Sequence, residues 1–393
     1  MKSTEYNEEN FSLTDNGFIT RVLRNFKLDQ KRVLLGFIAI CLTWLPLVIL
    51  CAIDGKLFSG TGLPFVKDIA IQGRILIGIP MLLLIKPFVY SRIPRVLKYI
   101  SEVLIAPEDR DQFISGALRK TKKNTDSGWS EIFIFLLVTI FAIGPTGQIT
   151  SFISQHQSAS WLFDENNGNN VLSMAGNYAQ YISKPVFQFL LLRWLLRYLI
   201  WIALIFRISK MDLNLKPTHP DGSGGISMIF LAQRNFILFF IVCGMVIATV
   251  MINLLNDKMV TFEAIQIEIL GYIIFSIFLI LFPLLFFSRK LIRTKYEGQL
   301  ELSRAATNLS KKYEEQWVKP MGNEKRIAED TVDPSMQVDY SGVYILLQEL
   351  RIIPVRFGDI GIMAVSLFIP FIPIFFIQFS VVEILQKLIG LLV

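Results

Sequence analysis

The sequence predicts an all-α fold, a polytopic membrane helix bundle of about seven transmembrane helices with a small cytoplasmic helical layer. Three observations carry that reading. Of 393 residues, 53% are hydrophobic and only 18% charged, against roughly 45–50% and 25% in soluble domains. The apolar excess, which gives a mean hydropathy of +0.50, falls in blocks of about 20 residues, the length that crosses ~30 Å of hydrocarbon as a helix. Finally, 30 of the 39 Lys and Arg residues lie in alternate segments between those blocks. A soluble enzyme, a disordered scaffold and a secreted disulfide protein are all disfavoured. Cys41, Cys51 and Cys243 lie in apolar runs and make no disulfide framework. His156 and His219 are too isolated for a zinc cluster, and no cofactor is expected.

Taken in order, residues 1–32 form a polar cytoplasmic leader containing Glu5, Glu8, Glu9 and Asp15. It lacks the short basic start and early apolar core of a cleavable signal. Residues 33–90 hold spans one and two, at 33–53 and 69–90. Residues 91–131 are a cytoplasmic helical segment, in which Glu108, Asp109 and Asp111 precede Arg119, Lys120, Lys122 and Lys123. That charge order suits a helix macrodipole. Residues 132–208 hold spans three and four, at 132–150 and 185–208, joined by an outer loop at 151–184. A Gly-rich cytoplasmic turn at 209–225 leads to spans five and six, at 226–255 and 264–288. Residues 289–353 are a second cytoplasmic helical segment, and residues 354–393 hold span seven, at 354–379, and a tail. Pro46, Pro80, Pro145, Pro283, Pro370 and Pro373 fall inside spans and predict kinks.

The basic residues set the orientation. The 30 lie in segments 1–32, 86–131, 207–227 and 289–356, whereas the opposite segments hold only Lys56, Lys67, Lys184, Lys258 and Lys387. Cytoplasmic loops carry the Lys/Arg excess, so the N-terminus is predicted to be cytoplasmic. The net charge of +7 is mostly this topological signal, aided by attraction to anionic lipid, and the bilayer is the first partner it implies.

Four cations remain inside spans: Arg74, Arg193, Arg197 and Arg234. Arg193 and Arg197 are four apart and share a helix face. An arginine at the bilayer centre costs about 2.5–3.5 kcal/mol on the lenient insertion scale, so neither is expected to face lipid. Glu263 and Glu268 are candidate partners. The pair is either a buried ion pair that fixes packing or the lining of a water-filled anion route. Gln72 and Arg74 in span two echo the same pore or gate reading, with Arg74 near enough to the outer side to snorkel.

The second candidate site is the turn THPDGSGG. His219, Asp221, Gly222, Gly224 and Gly225 run directly into span five, where glycine-rich backbone amides can face an anion. Arg234 lies a turn or two further on. The alternative is a rigid chain reversal. The basic cytoplasmic residues Arg119, Lys120, Lys122, Lys123, Arg289, Lys290 and Arg293 complete the candidate ligand set. No G-x-S-x-G, H-E-x-x-H or intramembrane carboxylate pair is present, so an enzyme is not expected.

The segment from Thr218 to Gly225 resembles a turn found in bacterial multi-pass membrane proteins, among them the channel component of the Hailong type of antiphage defence system. The resemblance implies a homo-oligomeric ion channel of the bacterial inner membrane, controlled from the cytoplasm by an anionic nucleotide or oligonucleotide ligand. It carries over no functional residues. The sequence therefore reads as an oligomeric channel, gated by such a ligand or by a cytoplasmic partner protein. Its alternatives are a secondary transporter of an organic anion and, third, a membrane enzyme or assembly factor.

Overall fold

The computed structural model describes residues 31–59, 62–126, 128–143, 160–166, 169–318 and 333–378, without the side chains of 123–126, 128, 141–143, 165–166, 169–170, 334 and 378. Six helices are long and apolar enough to cross a membrane: α1 (Arg32–Ile53), α2 (Ile69–Leu104), α4 (Met174–Lys210), α5 (Ser227–Asn256), α6 (Phe262–Val318) and α8 (Phe357–Ile377). The predicted third span appears as the apolar helix α3 (Gly128–Ile143). The rest of that span, 144–150 with Pro145, lies outside the described residues. The leader at 1–30, the loop at 144–159 and the tail from 379 lie outside them too. A short antiparallel hairpin, β1 (Phe163–Asn166) and β2 (Asn169–Leu172), pairs Phe163 with Leu172. Helix α7 is Pro334–Gln348, and a further helical segment runs from Pro107 to Asp126.

Four of the helix irregularities fall at prolines, for a local reason, whereas the π-helical turns Ile100–Leu104 and Phe113–Leu118 hold no proline. A proline inside a helix removes one amide donor and crowds the carbonyl four residues back. In α2 a π-helical turn, Gly73–Gly78, immediately precedes Pro80. In α4 a π-helical turn, Ala179–Ser183, precedes Pro185. Tight 3₁₀ turns hold Pro283 at Phe282–Phe287 and Pro370 at Ile369–Phe371. The widened or tightened turn absorbs the missing bond without ending the helix. Helix α4 therefore starts before its proline. Ser173 caps it, its Oγ accepting from the Gly176 amide at 2.9 Å. Residues 174–184, predicted as outer loop, belong to this helix.

The core is an aromatic column on one face of α4. Phe187, Trp194 and Trp201 recur every seventh residue, and all three are buried. Trp201 Nε1 donates to Gln233 Oε1 at 2.6 Å, and Gln233 Nε2 donates to the Ile280 carbonyl at 2.8 Å. These buried, satisfied bonds tie α4, α5 and α6 together. Helices α2 and α5 touch at Gly73, where a Cβ would come within 2.3 Å of the Thr249 side chain.

The chain has two distinct ends. At one, the basic segments meet. Tyr99 donates to the Gly225 carbonyl at 3.0 Å, Arg207 to Thr121 Oγ1 at 2.8 Å, and Lys290 to the Met211 carbonyl. Helix α6 extends along this end, and α7 packs antiparallel on it, with Tyr340 donating to the Leu302 carbonyl at 2.8 Å and Lys295 to that of Gln348 at 2.7 Å. At the opposite end, Asp68 joins Trp161 and Asn253, and Lys56 pairs with Asp164.

Candidate functional site

Arg193 and Arg197 lie near the middle of α4, and both are about nine-tenths buried. Arg193 Nη2 meets Glu131 Oε1 of α3 at 2.8 Å, and Glu131 is equally buried. The carboxylate that meets Arg193 is thus Glu131, not Glu263 or Glu268, both of which are exposed on α6. Sequence reasoning missed Glu131 because it precedes the apolar run of span three by one residue. Its signal was an acid at a helix start.

Arg197 has a different setting. Its guanidinium lies 5.4 Å from the Trp194 ring centre, and among the described residues it makes no hydrogen bond or ion pair. Tyr90 stacks on the same indole, with centroids 5.8 Å apart and planes 11° apart. The Tyr90 hydroxyl is buried without a hydrogen-bond partner. Both arginines lie close enough to Tyr90 to act on it electrostatically. The layer therefore holds two guanidinium charges against one carboxylate, with an unused hydroxyl beside them. Cation–π attraction offsets only part of the lost hydration of Arg197, about 2 kcal/mol in a desolvated setting. An apolar groove of about 650 Å³ between α1, α3 and α4 ends on Arg193.

Arg74 and Gln72 part company. Gln72 is used structurally: its Oε1 accepts from Trp44 Nε1 at 2.7 Å and its Nε2 donates to the Phe65 carbonyl at 3.0 Å. Arg74 lies 5.9 Å from the Phe187 ring centre and lines a cavity of about 800 Å³ at the opposite end.

The Gly-rich turn is self-contained. Asp221 folds back on it, its Oδ1 accepting from the amides of Ser223 at 2.8 Å and Gly225 at 3.1 Å, and its Oδ2 from that of Ser227 at 3.1 Å. Burial pushes the Asp221 carboxyl up, but these amides outweigh it and hold it below the usual carboxylate range. The amides read as an anion cradle are thus occupied by the chain's own carboxylate. His219 Nδ1 lies 3.2 Å from the Asp221 amide and 2.9 Å from its Oδ1. Neutral, that nitrogen accepts from the amide; protonated, it donates to the carboxylate. Arg351, which the sequence did not single out, latches the turn: its Nη2 donates to the Asp221 carbonyl at 2.6 Å and its Nε to that of Gly222 at 3.2 Å. Gly222, at φ +61°, leaves room for it, since a Cβ there would meet Arg351 Nη2 at 2.7 Å.

Arg234 does not face the turn. It pairs with Asp359 at the start of α8, Nη1 to Oδ1 at 3.3 Å. Arg293 pairs with Glu297 of its own helix at 2.7 Å, and Lys290 is tied to Met211. Arg119, Lys120 and Arg289 are exposed, Lys122 is half-buried, and the Lys123 side chain lies outside the described residues. None of these basic residues lines either cavity described above. Comparison of the chain with family models, curated proteins and solved structures gives no match.

Proposed function

We propose that this chain is an anion channel of the bacterial inner membrane, with seven crossings, a cytoplasmic N-terminus and its basic helical layer in the cytoplasm. One observation carries the reading: Arg197 is buried near the middle of an apolar helix, and among the described residues no carboxylate pairs with it. A charge so placed is stabilised by water or by a transient anion, and either defines a hydrated, positively biased interior. The route that Arg197 marks follows α4 and is enclosed by helices from several copies of the chain. Phe187 and Trp194 close it in this conformation, since both are buried side chains of the aromatic column. Homo-oligomer formation, expected from the sequence because one chain encloses a path only with difficulty, is read by mass photometry.

Gating by an anionic nucleotide and a role in antiphage defence, which the resemblance of the turn implied, draw no support from that turn, because Asp221 already occupies its amides. Secondary transport of an organic anion is the second reading, and the cavity beside Arg74 favours it.

The test is reconstitution of the full chain in liposomes, with chloride and potassium permeabilities measured under a salt gradient. Wild-type protein is expected to favour chloride. Arg197→Gln is expected to lower that preference about tenfold, a change of ~1.4 kcal/mol, with Arg197→Lys retaining it. Silent liposomes, or a preference that Arg197→Gln leaves untouched, would overturn the proposal.

A further inference from the structure

The cavity at the end opposite the basic segments holds a second pair of cations that the conduction reading does not use. It has a volume of about 800 Å³ and lies between the start of α2, the α4 N-terminal turns, the end of α5 and the loop around Trp161. That volume falls within the roughly 300–1,000 Å³ typical of small-molecule sites.

Arg74 and Lys184 both line it, and they lie close enough for each to feel the other's charge. Two like charges facing one space are costly unless something between them is negative. One carboxylate, Asp68, acts on Arg74 electrostatically without bonding to it, and its hydrogen bonds go to neutral donors. Its Oδ1 accepts from the Ile71 amide at 3.1 Å and Asn253 Nδ2 at 2.8 Å, and its Oδ2 from Trp161 Nε1 at 3.0 Å. Arg74 makes no hydrogen bond or ion pair among the described residues, and its neighbour is the Phe187 ring. Lys184 donates to Gln180 Oε1 at 3.3 Å, which uses one of its three donors. Lys67 and Asp257, one of each sign, also line the cavity and are exposed. Much of the remaining wall is apolar, as at Ile71, Leu162 and Val250.

Both cations lie at the π-helical turns that precede Pro80 and Pro185. Arg74 sits within the π-helical turn of α2, and Lys184 directly follows that of α4. Each turn interrupts the regular helical spacing at the residue that carries a cation, and such turns recur at functional sites.

We propose that this cavity binds an organic oxyanion, a carboxylate or phosphate monoester on a compact apolar body, with Arg74 and Lys184 holding the oxyanion and the apolar wall holding the body. The same chemistry describes a dissolved organic anion and the head and upper chain of an anionic lipid. The site stands independently of conduction, because binding is measured without ion flux.

The experiment is calorimetric titration of the purified full chain in uncharged detergent with hexanoate, hexyl phosphate and the neutral hexanamide. Saturable binding of at least one anion is expected, with hexanamide at least tenfold weaker. Arg74→Gln and Lys184→Gln are each expected to weaken anion binding at least tenfold, and Arg74→Lys to restore it to within about threefold, which separates charge loss from misfolding. Nanodiscs identify the source. Phosphatidylglycerol that suppresses hexanoate binding, where phosphatidylcholine does not, assigns the site to a lipid headgroup; equal binding in both assigns it to a solute. No saturable anion binding, equal binding of hexanamide, or unaltered affinity in both glutamine variants would overturn the proposal.

Discussion

At the scale of single residues, the cost of burying charge decides what the arginines of α4 are doing. Removing one partner of a buried ion pair strands the other, at about 3–5 kcal/mol, whereas replacing both by apolar groups is often neutral. Arg193 and Glu131 are such a pair, at 2.8 Å and nearly excluded from solvent. Glu131→Gln is therefore expected to lower the unfolding midpoint sharply in detergent, read by intrinsic fluorescence, and Glu131→Leu with Arg193→Leu to recover most of the loss. Equal midpoints for Glu131→Gln and wild type would mean that the pair holds nothing together. The shared face of Arg193 and Arg197 was legible from their spacing. Their unlike fates were not, because Glu131 and Tyr90 arrive from other helices.

At the scale of elements, the Gly-rich turn shows how a sequence suited to binding an anion can instead supply one. Asp221 caps the amides that open α5, and Arg351 fastens the same turn to the segment entering α8. The neighbouring ionisable groups are His219 on the turn, Arg351 across from it and the Tyr99 hydroxyl. The folded-state Asp221 carboxyl titrates below its usual range, so its contribution is fully present above about pH 4 and is lost as the pH falls through the depressed value. Hydrogen exchange corrected for intrinsic rates is expected to show the amides of Ser223, Gly225 and Ser227 protected at about pH 6, with protection lost as the pH falls through the depressed value and Asp221→Asn less protected at about pH 6. Protection that Asp221→Asn leaves unchanged would show that the carboxylate is not the cap. Composition could not choose between chain reversal and anion cradle here, since both need glycine at positive φ. The choice lay in where the Asp221 side chain turned.

At the scale of the whole molecule, charge divides the two ends. Segments near 99–121, 207–226, 290–295 and 347–351 bond to one another at one end, while Trp161, Asp68, Asn253 and the hairpin gather at the other. If the basic end is cytoplasmic, a membrane-impermeant maleimide should label Asp164→Cys in intact cells and Ser303→Cys only after permeabilisation. Both positions are exposed. The reverse pattern would invert the orientation, and labelling of both in intact cells would remove a crossing between them. Six helices long enough to cross match predicted spans, and span three is represented by α3.

Hydropathy and charge were enough to determine the helical class, the positions of the long helices and the grouping of basic loops, because each depends on a residue and its near neighbours along the chain. The π turns before Pro80 and Pro185 are local in the same sense, although the sequence reading expected only a kink at Pro80 and took Pro185 as the start of a span. Which cation meets a carboxylate was settled by packing alone. Glu131 reaches Arg193 across helices, Arg351 reaches a turn remote from it in sequence, and Arg74 shares a cavity with Lys184, which had looked like an ordinary outer-loop lysine. The physical reason is range: burying a helix face needs only a local apolar pattern, whereas neutralising a buried charge requires one particular side chain brought in by the tertiary fold.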